Sequence, residues 1–232
     1  MNEKIWFTSD THFRHANIVK HCPWRAEAGG FAPDDIEAHD KWILDRWNDT
    51  VGKKDTIYIL GDFAFAPAEH VKRLLGKLNG KKFLILGNHD KSSDHDDMTL
   101  EYREEPVKGV DWPYDISNYF VQITQMKMVT FRKANFDFLD EDFQVFMCHY
   151  PMVTWNGKHQ GCCQIHGHAH GRLNDYNRES PDLRLDVGID SDITDFRPIS
   201  LEELYGKFKE KSGGEKFIHY AANAKKEREM KI

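Results

Sequence analysis

The 232-residue sequence predicts an α/β fold built on a largely parallel sheet. Three observations carry that expectation. The apolar runs are short and rich in β-formers, as in strands buried on both faces. Stretches with helical apolar spacing separate the first three of them. Each of these early runs ends in polar residues, at what would be the carboxyl edge of the sheet, where open α/β sheets bind ligands.

Taken in chain order, KIWFT (4–8) reads as the first strand. Asp34 and Asp35 mark a helix start, and Ile36, Trp42, Ile43, Leu44 and Trp47 supply its apolar stripe. TIYIL (56–60) reads as the second strand. Pro67 stands near the next helix start, Val71, Leu74, Leu75 and Leu78 recur at helical spacing, and Gly80 follows the end. KFLIL (82–86) completes a β-α-β-α-β run, which implies right-handed crossovers. Residues 93–109 are polar and read as a loop or short helix. YFVQITQMKMVTF (119–131) alternates in part and reads as extended or hairpin structure. FQVFMC (143–148), CQIHG (163–167) and LRLDVG (183–188) read as further strands. A charged terminal helix is expected from about residue 215, with Phe217, Tyr220 and Ala221 facing the body. No repeat or linker divides the chain, so residues 1–232 are expected to form a single domain.

Composition narrows the function classes. Hydrophobic residues make up 40% of the chain and charged residues 30%, which is ordinary for a globular protein and excludes disordered and fibrous classes. The net charge of −6 argues against an extended nucleic-acid surface, while leaving room for a nucleotide in a local basic pocket. No apolar run approaches the roughly 18 residues that span a bilayer. MNEKIWFTSD lacks the basic-then-apolar pattern of a secretory leader, so no membrane partner and a cytoplasmic location are expected. Cys22, Cys148, Cys162 and Cys163 show no CxxC spacing and read as reduced, packed thiols. The alternative is a structural zinc site using Cys162, Cys163 and a histidine.

The polar residues at the strand ends form a pattern. Asp10 and His12 follow the first strand, Asp62 the second, and Asn88, His89 and Asp90 the third. His149 follows a later strand, and His166, His168 and His170 follow another. Taken singly, each piece is ordinary turn or cap chemistry. Together they form a mixed oxygen and nitrogen donor set that suits manganese, iron or zinc. The set is too rich in histidine for a calcium or magnesium cage. It also holds more donors than one ion takes, so two divalent metals are implied. Two such ions can share a carboxylate and clamp a phosphoryl group.

These residues resemble the calcineurin-like metallophosphoesterases, whose pattern is D-x-H, G-D, G-N-H-[DE], a lone His and G-H-x-H. The matching residues here are Asp10-Thr11-His12, Gly61-Asp62, Gly87-Asn88-His89-Asp90, His149 and Gly167-His168-Ala169-His170. DTHFRHANI and RPISLEEL also resemble a bacterial and phage subgroup of small members. The resemblance implies an αββα sandwich, two packed mixed β-sheets flanked by helices. It implies that Asp10, His12 and His170 bind one ion, that Asn88, His149 and His168 bind the other, and that Asp62 bridges them. Manganese is the first expectation for the metal, with iron or zinc as alternatives.

The implied activity is hydrolysis of a phosphate ester by a hydroxide shared between the ions, with diesters expected before monoesters. The implied partner is a small phosphate ester or a nucleotide. His89 resembles the family's non-ligand histidine, which protonates the leaving oxygen, and Asp90 is expected to orient its ring. The other reading is a non-catalytic metal-binding scaffold, and the intact ligand set speaks against it. Outside the motifs, Arg14, His15 and Arg172 are candidates for contact with the phosphate or leaving group. Trp155, Asn156 and His159 lie in a loop positioned to cover the site. His166 reads as a core or supporting residue.

Overall fold

In the computed structural model, which describes residues 3–90 and 114–230, the three early apolar runs become adjacent parallel strands. They are β1 (Ile5–Thr8), β2 (Thr56–Ile59) and β3 (Lys81–Ile85). Between β1 and β2 lie α1 (Ile18–His21), α2 (Trp24–Gly29) and α3 (Ile36–Thr50). Only α3 was expected. Four and six residues give α1 and α2 too few turns to display an apolar period. Asp35 caps α3 by accepting from Ala38 N at 2.9 Å, which leaves Asp34 outside the cap. α4 (Ala68–Leu75) starts after Pro67 as expected and stops at Gly76, sooner than the apolar spacing suggested. The segment 93–109 lies outside the described residues.

The stretch 119–131 is not a hairpin. β4 (Phe120–Thr124) pairs parallel with β3 in the first sheet, whereas β5 (Met126–Phe131) opens the second sheet. Only Gln125 stands between them, too short a link for the two-residue turn that folds a strand back on itself. The chain therefore steps from one sheet to the other. β5 pairs antiparallel with β6 (Phe143–Cys148), and β7 (Cys163–His166) and β8 (Arg184–Asp186) continue in parallel, with α5 (Asn174–Glu179) between them in sequence. β9 (Ile199–Ser200) returns to the first sheet antiparallel to β1. The strand orders are β4-β3-β2-β1-β9 and β5-β6-β7-β8.

The strands read as continuous apolar runs because both faces of the first sheet are covered. Ile57 and Ile59 point outward to Ile43 and Trp47 of α3 and Val71 and Leu75 of α4. Tyr58 and Leu60 point inward to Met147 and Ile165 of the second sheet. Fully burying one such side chain is worth about 1.5–3 kcal/mol. α6 (Leu201–Lys211) adds Leu204, Tyr205 and Phe208 to the inter-sheet core, and α7 (Phe217–Glu229) adds Phe217. α6 starts in a capping box, with Ser200 and Glu203 each bonding the other's backbone N–H. That signal stood in the sequence as S-x-x-E. The result is the expected αββα sandwich. Among the described residues no helix is long and apolar enough to cross a membrane.

Candidate active site

The polar strand ends meet because the loops beyond the strands stay paired. Asp10 N donates to Gly61 O and His12 N to Asp62 O, both at 3.0 Å, so the loops after β1 and β2 run side by side. Ile189 N donates to Ser9 O at 3.1 Å, and Ser9 bridges Gly188, which brings the end of β8 against the end of β1. Gly167 N donates to His149 O at 2.9 Å, joining the ends of β7 and β6. One row of loops thus draws on both sheets.

The backbone there is strained. Asp10, His12, Asp62, His168 and His170 all adopt left-handed conformations, with φ of 57°, 50°, 50°, 68° and 49°. Each costs of order 1–3 kcal/mol in a side-chain-bearing residue, and such residues cluster at functional sites. Two glycines serve close approach. A Cβ on Gly87 would come within 2.3 Å of Asp62 Oδ1, and one on Gly167 within 2.3 Å of Asp10 Oδ2. Gly87 is needed for that approach and not for a positive φ.

Two donor groups result. Asp10, His12 and His170 bring one donor atom each to within 4.8 Å of one another, and Asp62, His149 and His168 do the same. Asn88 Oδ1 lies 3.1 Å from His149 Nε2, beside the second group. Asp62 Oδ2 stands between the groups, 3.6 Å from His12 Nε2 and 3.5 Å from His149 Nε2. The structure therefore brings all seven expected ligand residues together. His12 Nε2 is buried and has no hydrogen-bond partner, with Asp10 Oδ1 at 3.9 Å and Asp62 Oδ2 at 3.6 Å. An orphaned buried nitrogen facing two carboxylates beyond hydrogen-bond reach fits a cation between them. The donor chemistry, imidazole nitrogen with carboxylate and amide oxygen, fits a transition metal.

Behind the first group lies support that sequence reading missed. His170 Nδ1 is 2.7 Å from Asp190 Oδ2. Arg25, wholly buried, grips Asp190 with Nε at 2.8 Å and Nη2 at 2.5 Å. The same guanidinium donates to Asp10 O at 2.7 Å and Thr11 O at 3.2 Å. Cys22 Sγ is 3.6 Å from His170 Nδ1, but that nitrogen is already bonded to Asp190, so Cys22, His170 and Asp190 buttress the ligand instead of forming a third site. Asp190 follows β8 as Asp10 and Asp62 follow β1 and β2, and that strand-end position was the signal available for it.

The protein's own charges are unevenly held. Burial pushes the Asp10 carboxyl up to about 7, against the opposing pull of His149 and His170. Burial also acts to raise Asp62, but its hydrogen bond and attraction to His149, together with His12, hold it below the usual carboxylate range. Burial opposes the charged form of His149, yet Asp62 and Asp10 raise it to about 9. Burial, then Arg25, pushes His12 well down. Four imidazoles and two carboxylates packed this closely cannot all take their ordinary states, which is the condition bound cations would relieve.

Several of the expected residues make other contacts among the described residues. Asp90 bonds to backbone N–H groups and not to the His89 ring. Its Oδ2 accepts from Asp62 N at 2.9 Å and Gly87 N at 2.8 Å, and its Oδ1 from Phe63 N at 2.9 Å, so it ties the loops after β2 and β3 together. Arg14 leans on α3, 3.7 Å from Glu37 and 3.8 Å from Asp40. Arg172 donates to His21 O at 3.2 Å. His15 stands in the site, but its Nδ1 faces His12 Nδ1 at 3.1 Å. His166 is buried against Asn177 at 3.1 Å, as its reading as a core residue expected. Trp155, expected in a covering loop, is buried and donates to Cys162 O at 2.8 Å. All four cysteines are buried as free thiols; those of Cys162 and Cys163 turn to the carbonyls of Cys163 and Gly161 instead of forming a zinc site.

Two sandwiched mixed sheets that gather paired oxygen and nitrogen donors at their loop edge describe the scaffold of a metallohydrolase. The chain belongs to the calcineurin-like phosphoesterase family, whose model matches residues 3–183, and membership makes it a phosphoester hydrolase. It is similar to the gene 66 protein of Mycobacterium phage D29, 28% identical over 201 residues, covering 81% of this chain and 88% of that protein. An uncharacterized protein of Methanocaldococcus jannaschii is 26% identical over 204 residues, covering 86% of this chain and 88% of its own. The crystal structure of a protein of unknown function from Aquifex aeolicus shares the fold, with a TM-score of 0.58 at 22% identity, covering 89% of this chain and 100% of that one.

Proposed function

We propose that the protein is a dinuclear metal-dependent phosphodiesterase. The observation that carries this reading is Asp62, whose Oδ2 lies 3.6 Å from His12 Nε2 and 3.5 Å from His149 Nε2, between two complete donor groups. Asp10, His12 and His170 would hold one ion, Asn88, His149 and His168 the other, and Asp62 both, with manganese expected first. When bound, the pair supplies positive charge for the phosphate and a lowered pKa for water at neutral pH. The chain supplies the rest. His89 N donates to Asp62 Oδ1 at 2.9 Å, which ties its backbone beside the donor groups, and its exposed ring lies 5.5 Å from that of His12. From there it can give a proton to the leaving oxygen. The preference for diesters has its own support. Arg14 and Arg172, the arginines expected to neutralise a phosphate, are engaged with α3 and with the His21 carbonyl. Among the described residues a monoester dianion would therefore miss a guanidinium partner that a diester monoanion does not require.

The test is metal content by mass spectrometry joined to a substrate panel with Mn²⁺. The panel holds a generic diester, a generic monoester, 2′,3′- and 3′,5′-cyclic nucleotides, dinucleotides and single-stranded DNA. Two ions per chain and faster diester than monoester cleavage are expected, with both lost in His149→Ala. A protein that holds two ions and cleaves no ester would sink the reading; faster monoester cleavage would make it a phosphatase.

A further inference from the structure

Phe65 lies three residues beyond Asp62. Its backbone N donates to Phe13 O at 2.7 Å, which pins it at the far end of the paired loops after β1 and β2. Two residues earlier Phe63 is fully buried, but the Phe65 ring is 55% exposed. A scattered exposed apolar side chain needs no explanation. This one is held in place and has chosen neighbours. It stacks on the His15 ring, with centroids 4.9 Å apart and planes 28° apart, and it meets the His89 ring edge-on at 5.8 Å. His15 is itself fixed from below, its ring 5.1 Å from that of His12 and its Nδ1 3.1 Å from His12 Nδ1. Phe65, His15 and His89 thus form one aromatic shelf. It begins against a member of the first donor group and ends in the open beside the histidine placed to protonate the leaving oxygen.

We propose that the Phe65–His15 shelf is a stacking subsite for the base of a nucleoside leaving group. The inference rests on the reading of His89 above: a leaving oxygen protonated by His89 places its substituent on the Phe65 side. Every base offers a π face, so an aromatic platform of this kind selects a planar ring over an alkyl or glyceryl group without distinguishing one base sharply from another. The net charge of −6 fits a mononucleotide or dinucleotide better than a long polyanion.

The experiment compares two phosphate monoesters that differ in bearing a base, adenosine 5′-monophosphate and glycerol 3-phosphate. Binding to the Mn²⁺-loaded protein is measured by titration calorimetry. The wild-type protein is expected to prefer the nucleotide by on the order of tenfold, the scale of one base–aromatic stack. Phe65→Ala collapses that ratio towards one, and Phe65→Trp restores it. A ratio near one in the wild-type protein, or a preference that survives Phe65→Ala, overturns the subsite. Turnover is not needed. A protein that cleaves no ester but keeps a Phe65-dependent ratio sinks the proposed reaction and leaves the stacking subsite standing.

Discussion

The Asp190 carboxylate lies 2.7 Å from Nδ1 of His170, and this one bond sets how the imidazole can be used. Burial acts to raise Asp190, but Arg25 outweighs it and holds the group well below the usual carboxylate range. An ionised carboxylate only accepts, so Nδ1 carries a proton, and Nε2, 3.8 Å from Asp10, is the ring nitrogen left to serve as a donor atom to a metal. Supports of this kind typically govern 10–100-fold in metal affinity. Asp190→Asn is therefore expected to weaken one of the two Mn²⁺ binding steps by about 10–100-fold. A metal titration with an unchanged isotherm would disprove the role.

His89 and the ligands predict different defects. Among the described residues His89 contributes its ring to no donor group, so His89→Ala should keep both ions and lose about 10²–10⁴ in turnover. Metal analysis on the purified variant separates the outcomes, since loss of an ion would mark His89 as a ligand.

Asp90→Asn should act on stability. One of its oxygens becomes a donor facing backbone N–H groups, and each group left unpaired costs about 1–3 kcal/mol. The thermal midpoint falls while the shape of the pH–rate profile stays as it was. A profile displaced along the pH axis at unchanged stability would instead favour the expected role of Asp90 in orienting the His89 ring.

Lys82 gives stability a distinctive pH dependence. Its Nζ donates to Leu78 O at 2.7 Å and Gly80 O at 3.0 Å, and burial lowers its pKa from 10.5 to about 8. Between those values the folded chain binds fewer protons than the unfolded one, so stability rises with pH there, by at most about 1.4 kcal/mol per pH unit for one group. Lys211, lowered by burial to about 8, adds in the same sense. Other groups titrate in the same window, so the test is the difference: in denaturant melts from pH 8 to 10, the stability slope of Lys82→Met should be less positive than that of the wild-type protein. Equal slopes would refute the assignment to Lys82.

How much of this was legible depended on what left a mark in one dimension. The strands were, because burial on both faces writes an unbroken apolar run, as in TIYIL. The meeting of the seven expected ligand residues was, because each follows a strand at the same edge, and the family resemblance singled them out from the other polar strand ends. What depends on three-dimensional reach was not. Nothing in the local sequence GNHD separates an Asp90 that orients a ring from one that binds three backbone N–H groups. Arg25 and Asp190 meet across 165 residues. The split of 119–131 between two sheets follows from a one-residue link whose meaning needs both partners.

The pairing of Ser9 with Gly188 has a consequence for how the molecule is made. A growing chain that ends before residue 149 carries Asp10, His12, Asp62 and Asn88 but none of the three later histidines. The first donor group closes only when His170 arrives, and its Arg25–Asp190 brace only once β8 has docked. Contacts this far apart in sequence form late because loop closure must precede their reward. A product truncated before His170 would therefore lack a complete first donor group, and one truncated before Asp190 would lack its brace.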